Sequence, residues 1–224
     1  MGSGLSLRWS AISGITASLI WGILAAVGGF LRPGYNPLTQ AISELGDTGA
    51  PLGSAIAERA VIALLGLLTI LLAVGLHRGV GSGPDSRAGL AFMAVFGVFN
   101  IIQALFFPCD PGCVNTSFTG AMHSWIGLAG FLALILGMLA LSQRMRKDER
   151  WKRYSAYSVV SVIVFVGLYV GNILGYGAIS SVGIQGLVQR IVLGVPILWI
   201  GIVALRLLHL SNKSKLSVHA QVPS

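Results

Sequence analysis

Charge is what this chain has least of. Asp, Glu, Lys and Arg make up 10% of its 224 residues, while 54% are hydrophobic. Soluble domains carry roughly 25% charged residues, so a water-exposed globular surface is excluded. Histidine is also scarce, with four in the whole chain. No phosphate-binding glycine loop, G-x-S-x-G elbow or H-E-x-x-H pair occurs, and no histidines are paired within apolar runs as haem ligation needs. Acidic residues number seven against fifteen basic ones, a net charge of +8. That excess does not point to nucleic acid. The basic residues sit at the ends of apolar runs, where they report membrane topology and contact with anionic lipid.

What the chain has in abundance is long apolar runs. About 20 residues cross a bilayer, and six runs meet that length, at about 11–31, 56–76, 88–107, 120–142, 154–175 and 186–208. The expected fold is all-α: one bundle of six transmembrane helices within residues 1–210, followed by a polar, disordered cytoplasmic tail over 211–224. The first run is too long for a signal peptide's apolar core of about 7–15 residues, so a retained helix is expected.

Orientation follows from Lys and Arg. Twelve of the fifteen lie on one side: Arg8, Arg78, Arg87, Arg144, Arg146, Lys147, Arg150, Lys152, Arg153, Arg206, Lys213 and Lys215. Arg32, Arg59 and Arg190 lie on the other. The positive-inside rule puts the rich side, with both termini, in the cytoplasm of a cell whose plasma membrane the chain spans several times. Glu44, Asp47, Glu58 and Asp110 then face outward, which makes the outer side the chemically mixed one. On the inner side, Trp151 and Tyr154 are expected as interfacial anchors. Pro196 should kink the sixth run. Gly167, Gly171 and Gly175 make a small-residue face on the fifth. Packing inside the bundle is its first reading and a homo-oligomer contact its second.

The first outer loop reads as a short amphipathic helix. Asn36-Pro37 is a helix start and Gly46 a stop. Leu38, Ala41, Ile42 and Leu45 repeat at helical spacing, with Gln40, Ser43 and Glu44 on the opposite side. Glu44 therefore either faces water on a surface lid or points into the bundle.

The remaining polar residues of this side gather from distant parts of the chain. Asn100, Gln103, Phe107 and Asp110 share a face if the third helix runs that far. Asn100 and Gln103 are deep enough to face protein or a wet cavity. Cys109 and Cys113 flank a Pro-Gly turn on the oxidising side, which favours a small disulfide loop over free thiols. A metal site with His123 does not fit a standard zinc spacing, and no metal is expected. His123 is the one outer histidine, and Asp110 could orient it as acids do in hydrolytic sites. Asn172, Gln185, Gln189 and Arg190 complete the set. Arg190 needs a carboxylate partner, or else offers a clamp for an anionic headgroup.

The runs Gly34-Tyr35-Asn36-Pro37-Leu38-Thr39-Gln40-Ala41-Ile42-Ser43-Glu44-Leu45-Gly46, Phe107-Pro108-Cys109-Asp110 with His123, and Gly186-Leu187-Val188-Gln189-Arg190 together resemble the signature of an integral-membrane family of bacteria and archaea, domain of unknown function 998. A more remote likeness is to Frag1/DRAM/Sfk1-type membrane proteins. The resemblance covers nearly the whole chain and implies a bundle of about six helices, with no activity or cofactor to carry over.

Three functions fit these residues. The first is binding of a lipid or other amphiphile in an outer-facing pocket, with Arg190, Gln189, Gln185, Asn100, Gln103 and Asn172 around it. The second is a membrane-embedded, lipid-modifying enzyme with His123 and Asp110 or Glu44 as acid and base and Ser43 as nucleophile. The third is a structural or assembly subunit. Membrane lipids are the expected partners in each.

Overall fold

The structure is a computed structural model describing residues 2–219, with side chains described for 7–213. Its helices are α1 (Gly2–Val27), α2 (Leu52–Gly79), α3 (Pro84–Phe106), α4 (Phe118–Met145), α5 (Lys152–Leu174), α6 (Tyr176–Val182) and α7 (Gln185–His219). All but the short α6 contain a segment long and apolar enough to cross a membrane, six in all. The chain is thus a multi-pass membrane protein. Its helices alternate in direction. The ends of α1, α3 and α5 meet the starts of α2, α4 and α7 at one end, called here the cap end. The Lys- and Arg-rich connections lie at the other, the basic end.

Each helix packs on its neighbour in the chain, and α7 returns to α1 and closes a ring. Lipid tails are as apolar as leucine, so close packing and interhelical hydrogen bonds hold such a ring together rather than burial from water. Gly66 and Gly97 show the closeness. A Cβ on Gly66 would stand 2.3 Å from the Gly97 carbonyl, and one on Gly97 would stand 2.5 Å from that of Gly66. Ser18 Oγ donates from α1 to Ile197 O of α7 at 2.9 Å. Trp199 Nε1 donates to Ser158 Oγ at 2.8 Å, joining α7 to α5.

The two halves of the bundle differ. The basic half is solid: Leu72, Leu76, Met138, Leu141, Met145, Trp151, Ile200 and Leu207 are almost fully buried. The loops there are stitched to helix ends, with Arg144 Nε donating to Val80 O and Gly81 O at 3.0 and 3.1 Å. Lys147 pairs with Asp85 at 2.6 Å. Arg150 holds Asp148 from two residues away, which lowers the Asp148 carboxyl pKa. The cap half is hollow, and the site lies within it.

Several expectations change. Trp151 is no interfacial anchor; it is buried against the end of α2, its indole N–H donating to Gly79 O at 3.3 Å. The expected disordered tail continues α7 as helix to His219, and residues 220–224 lie outside the described residues. A seventh helix, α6, follows α5 after a turn at Gly175. Around Gly167 and Gly171 nothing among the described residues would meet an added Cβ, so no described element packs on this face of α5. Gly175 differs, its Cβ position lying 2.9 Å from the Gly171 carbonyl.

The loop over the cap end is not one amphipathic helix. Asn36 caps a single turn, its Oδ1 accepting from Leu38 N and its carbonyl from Gln40 N, both at 2.9 Å. The backbone then extends at Ala41 and restarts as a 3-10 helix over Ile42–Gly46. The break explains why Leu38 is exposed while Ala41, Ile42 and Leu45 are buried. Four apolar residues at helical spacing share a face only if the helix is continuous.

Candidate functional site

Three arginines come to the cap end, and all three grip this loop. Arg32 Nη1 donates to Glu44 O and pairs with Asp47 Oδ2 at 2.9 Å. Arg59 donates through Nε and Nη2 to Gly46 O at 3.3 and 3.1 Å. Arg190 Nη1 donates to Pro37 O at 2.8 Å and to Gln40 O and Gly186 O at 3.0 Å. Its Nε reaches Ala25 O at 3.1 Å and its Nη2 the Tyr35 hydroxyl at 2.6 Å. The expected carboxylate partner of Arg190 is therefore replaced by carbonyls and a phenol. The five guanidinium donors form a planar fork suited to several fixed acceptors, so Arg190 is a staple between α1, α7 and the loop.

The loop is fastened further at α7. Ile42 N donates to Gln189 Oε1 at 2.6 Å, and Leu187 N to Leu38 O at 3.0 Å. Gly186 permits the approach, since a Cβ there would stand 2.1 Å from Gln40 O. Burial raises the Tyr35 pKa, against the lowering influence of the bonded Arg190.

Glu44 takes neither of its expected roles. It is buried, but its carboxylate serves the loop itself. Oε1 accepts from Ala41 N at 2.8 Å and Oε2 from Gln40 Nε2 at 3.0 Å. That is a capping arrangement, satisfying amides at the start of the 3-10 turn. Asp110 is likewise occupied. The α3 helix ends at Phe106, so Asp110 leaves the face of Asn100 and Gln103. Its carboxylate accepts from Ser117 Oγ and N at 2.7 Å and from Thr116 Oγ1 and N at 2.9 Å. Those bonds, the Ser117 hydroxyl's foremost, hold its pKa below the usual carboxylate value. His123 hydrogen-bonds neither acid; its Nδ1 meets Phe107 O at 2.8 Å. The sulfurs of Cys109 and Cys113 are 2.16 Å apart. No group of three metal-ligating side chains occurs among the described residues.

Beneath the loop lies a cavity of about 380 Å³. Its floor and lower walls are apolar, with Trp21, Leu65, Phe96, Phe131, Leu134, Val192, Pro196 and Ile197. Its upper walls carry Ser43, Glu58, Arg59, Asn100, Gln103, His123, Asn172, Gln185 and Gln189. Of the expected site residues, His123, Ser43, Gln189, Gln185, Asn100, Gln103 and Asn172 thus share one space. Cys109 and Cys113 border it too. Asp110, Glu44 and Arg190 are not on its wall.

Hydrogen bonding shows which of these groups are engaged. Gln103 Nε2 donates to His123 O at 2.7 Å, joining α3 to α4. Asn100 Nδ2 donates to Phe96 O of its own helix at 2.9 Å. Gln185 Nε2 donates to the Tyr176 hydroxyl at 3.0 Å. Asn172 Oδ1 is buried with no partner among the described residues, an exception among buried polar atoms that calls for an explanation.

Glu58 is the residue that the sequence concealed. By sequence it stands among the outer acids, yet it is 7% exposed, lines the cavity, and makes no hydrogen bond or ion pair among the described residues. Its carboxylate packs against Gly46, where a Cβ would stand 2.2 Å from Oε2. One signal was available: it lies within the second apolar helix, where an acid needs a wet or protein surround.

The fold and cavity define a multi-pass helical membrane protein with a half-open chamber at one end of its bundle, bordered by a pinned loop. The family described as "Protein of unknown function (DUF998)" matches residues 15–206, and the chain belongs to that family. No curated protein and no solved structure matches the chain.

Proposed function

We propose that this protein binds a lipid or other amphiphile in the chamber at its cap end, head among the upper polar groups and tail against the apolar floor. The observation that carries the reading is the chamber itself. At about 380 Å³ it falls in the range of small-molecule sites, roughly 300–1,000 Å³. It is apolar below and polar above, and its polar wall includes a buried amide oxygen with no partner. A network built only to hold helices together would satisfy that atom.

The setting proposed is the plasma membrane. The basic end, with both termini, lies in the cytoplasm by the charge rule, and the chamber lies on the outer side. Cys109 and Cys113 form a disulfide there, closing the turn that borders the chamber.

Native mass spectrometry of the full chain, extracted in a neutral detergent, tests the reading. The wild type is expected to carry a bound amphiphile. Ala104→Phe, which fills the chamber from α3, is expected to lose it while melting cooperatively. No adduct on the wild type, or the same adduct on both proteins, would overturn the proposal.

A further inference from the structure

The chamber wall leaves buried acceptors without a donor. His123 Nδ1 meets a carbonyl oxygen, which can only accept, so Nδ1 carries a proton, and in the neutral ring Nε2 keeps a lone pair. The same logic fixes the amides of Asn100 and Gln103. Each nitrogen donates one of its two N–H groups to a carbonyl, and each oxygen is left as an acceptor. Glu58, 7% exposed, adds a carboxyl group with no hydrogen bond among the described residues. Asn172 adds its unpartnered oxygen.

Cations are nearly absent from this wall. Arg32 and Arg190 hold the roof from outside the chamber. Arg59 is the one Arg or Lys on the lining, and two of its nitrogens are turned to Gly46 O. A phosphate or carboxylate head would bring only lone pairs to Glu58 and Asn172 Oδ1, which need donors. A head with N–H or O–H groups would satisfy them. Buried acceptors left unmet cost about 1–3 kcal/mol each, so Glu58 and Asn172 Oδ1 favour a head that donates.

We infer that the chamber takes an amphiphile whose head donates hydrogen bonds and carries no negative charge, an amine or hydroxyl head, with Glu58 as its principal acceptor. This rests on the proposed function above and names the ligand's chemical class. It also removes the anion clamp expected of Arg190.

Three probes with the same tail separate the outcomes: dodecylamine, dodecanol and dodecyl phosphate, each offered to the delipidated full chain in neutral detergent at equal mole fraction. Retention is read by native mass spectrometry. Amine or alcohol is expected to be retained roughly tenfold or more over the phosphate. Preference for amine over alcohol identifies Glu58 as a counter-ion; near-equal retention of the two identifies it as a neutral acceptor. In Glu58→Gln the favoured probe is expected to bind several-fold more weakly. Phosphate retained as well as the others would overturn the inference and leave the amphiphile reading standing. Undiminished binding to a cooperatively melting Glu58→Gln would do the same. If none of the three binds, both fall. Should Glu58→Gln fail to fold, the wild-type ratio decides by itself.

Discussion

The Arg190 guanidinium donates to the Tyr35 hydroxyl at 2.6 Å, across 155 positions of sequence. Through this bond and its carbonyl contacts, one side chain joins α1, α7 and the cap loop. Arg190→Lys replaces a five-donor fork with a point charge of three donors and orphans carbonyls on three segments. It is expected to lower stability by at least about 2 kcal/mol, and Tyr35→Phe by about 1 kcal/mol. Thermal melts in detergent check both. Added inorganic phosphate should leave the wild-type melt unchanged, since Arg190 has no role as an anion site here; a phosphate-dependent rise would contradict that.

Gly186 lets the loop lie directly on the start of α7. Gly186→Ala places a Cβ 2.1 Å from Gln40 O and 2.6 Å from Pro37 O, both backbone atoms with little room to give. A cost of about 1–3 kcal/mol is expected. Limited proteolysis should show faster cleavage within 33–47 than in the wild type, with the transmembrane helices still protected.

Asp110 gives a pH signature. Its pKa is lowered in the folded chain, chiefly by Ser117, so its contribution is fully present above the unfolded-state value and disappears as pH falls through the lowered one. Asp110→Asn should therefore melt below the wild type at neutral pH. The gap should begin to close below about pH 4 and vanish at lower pH. A gap that widens with acid would refute this account.

Cys109 and Cys113 can be counted chemically. Alkylation of the denatured, unreduced protein should add no mass, and alkylation after reduction should add two labels. Reduction is expected to loosen the turn that receives Thr48 N at Cys109 O, at 2.9 Å, and so to raise hydrogen exchange around Thr48. Two labels without reduction would show free thiols.

Sequence alone determined what local properties decide. Six apolar runs, each long enough for a bilayer, must become helices, because no other backbone satisfies its own hydrogen bonds in lipid. The Lys and Arg at their ends supplied a direction. The polar residues Asn100, Gln103, His123, Asn172, Gln185 and Gln189 could be picked out because apolar helices make every polar residue conspicuous. What they face could not be read in the same way. Glu44 and Asp110 looked like free acids, yet each is occupied by amides or hydroxyls within a few residues of itself. Arg190 looked like half of an ion pair, yet carbonyls as distant as Ala25 and Pro37 take its place. Glu58 looks ordinary and is the acid that no hydrogen bond engages among the described residues. Hydropathy and spacing are sums over neighbours in the chain. A side chain's partners are set by where the helices cross and how the loop folds back, and only the tertiary structure decides that.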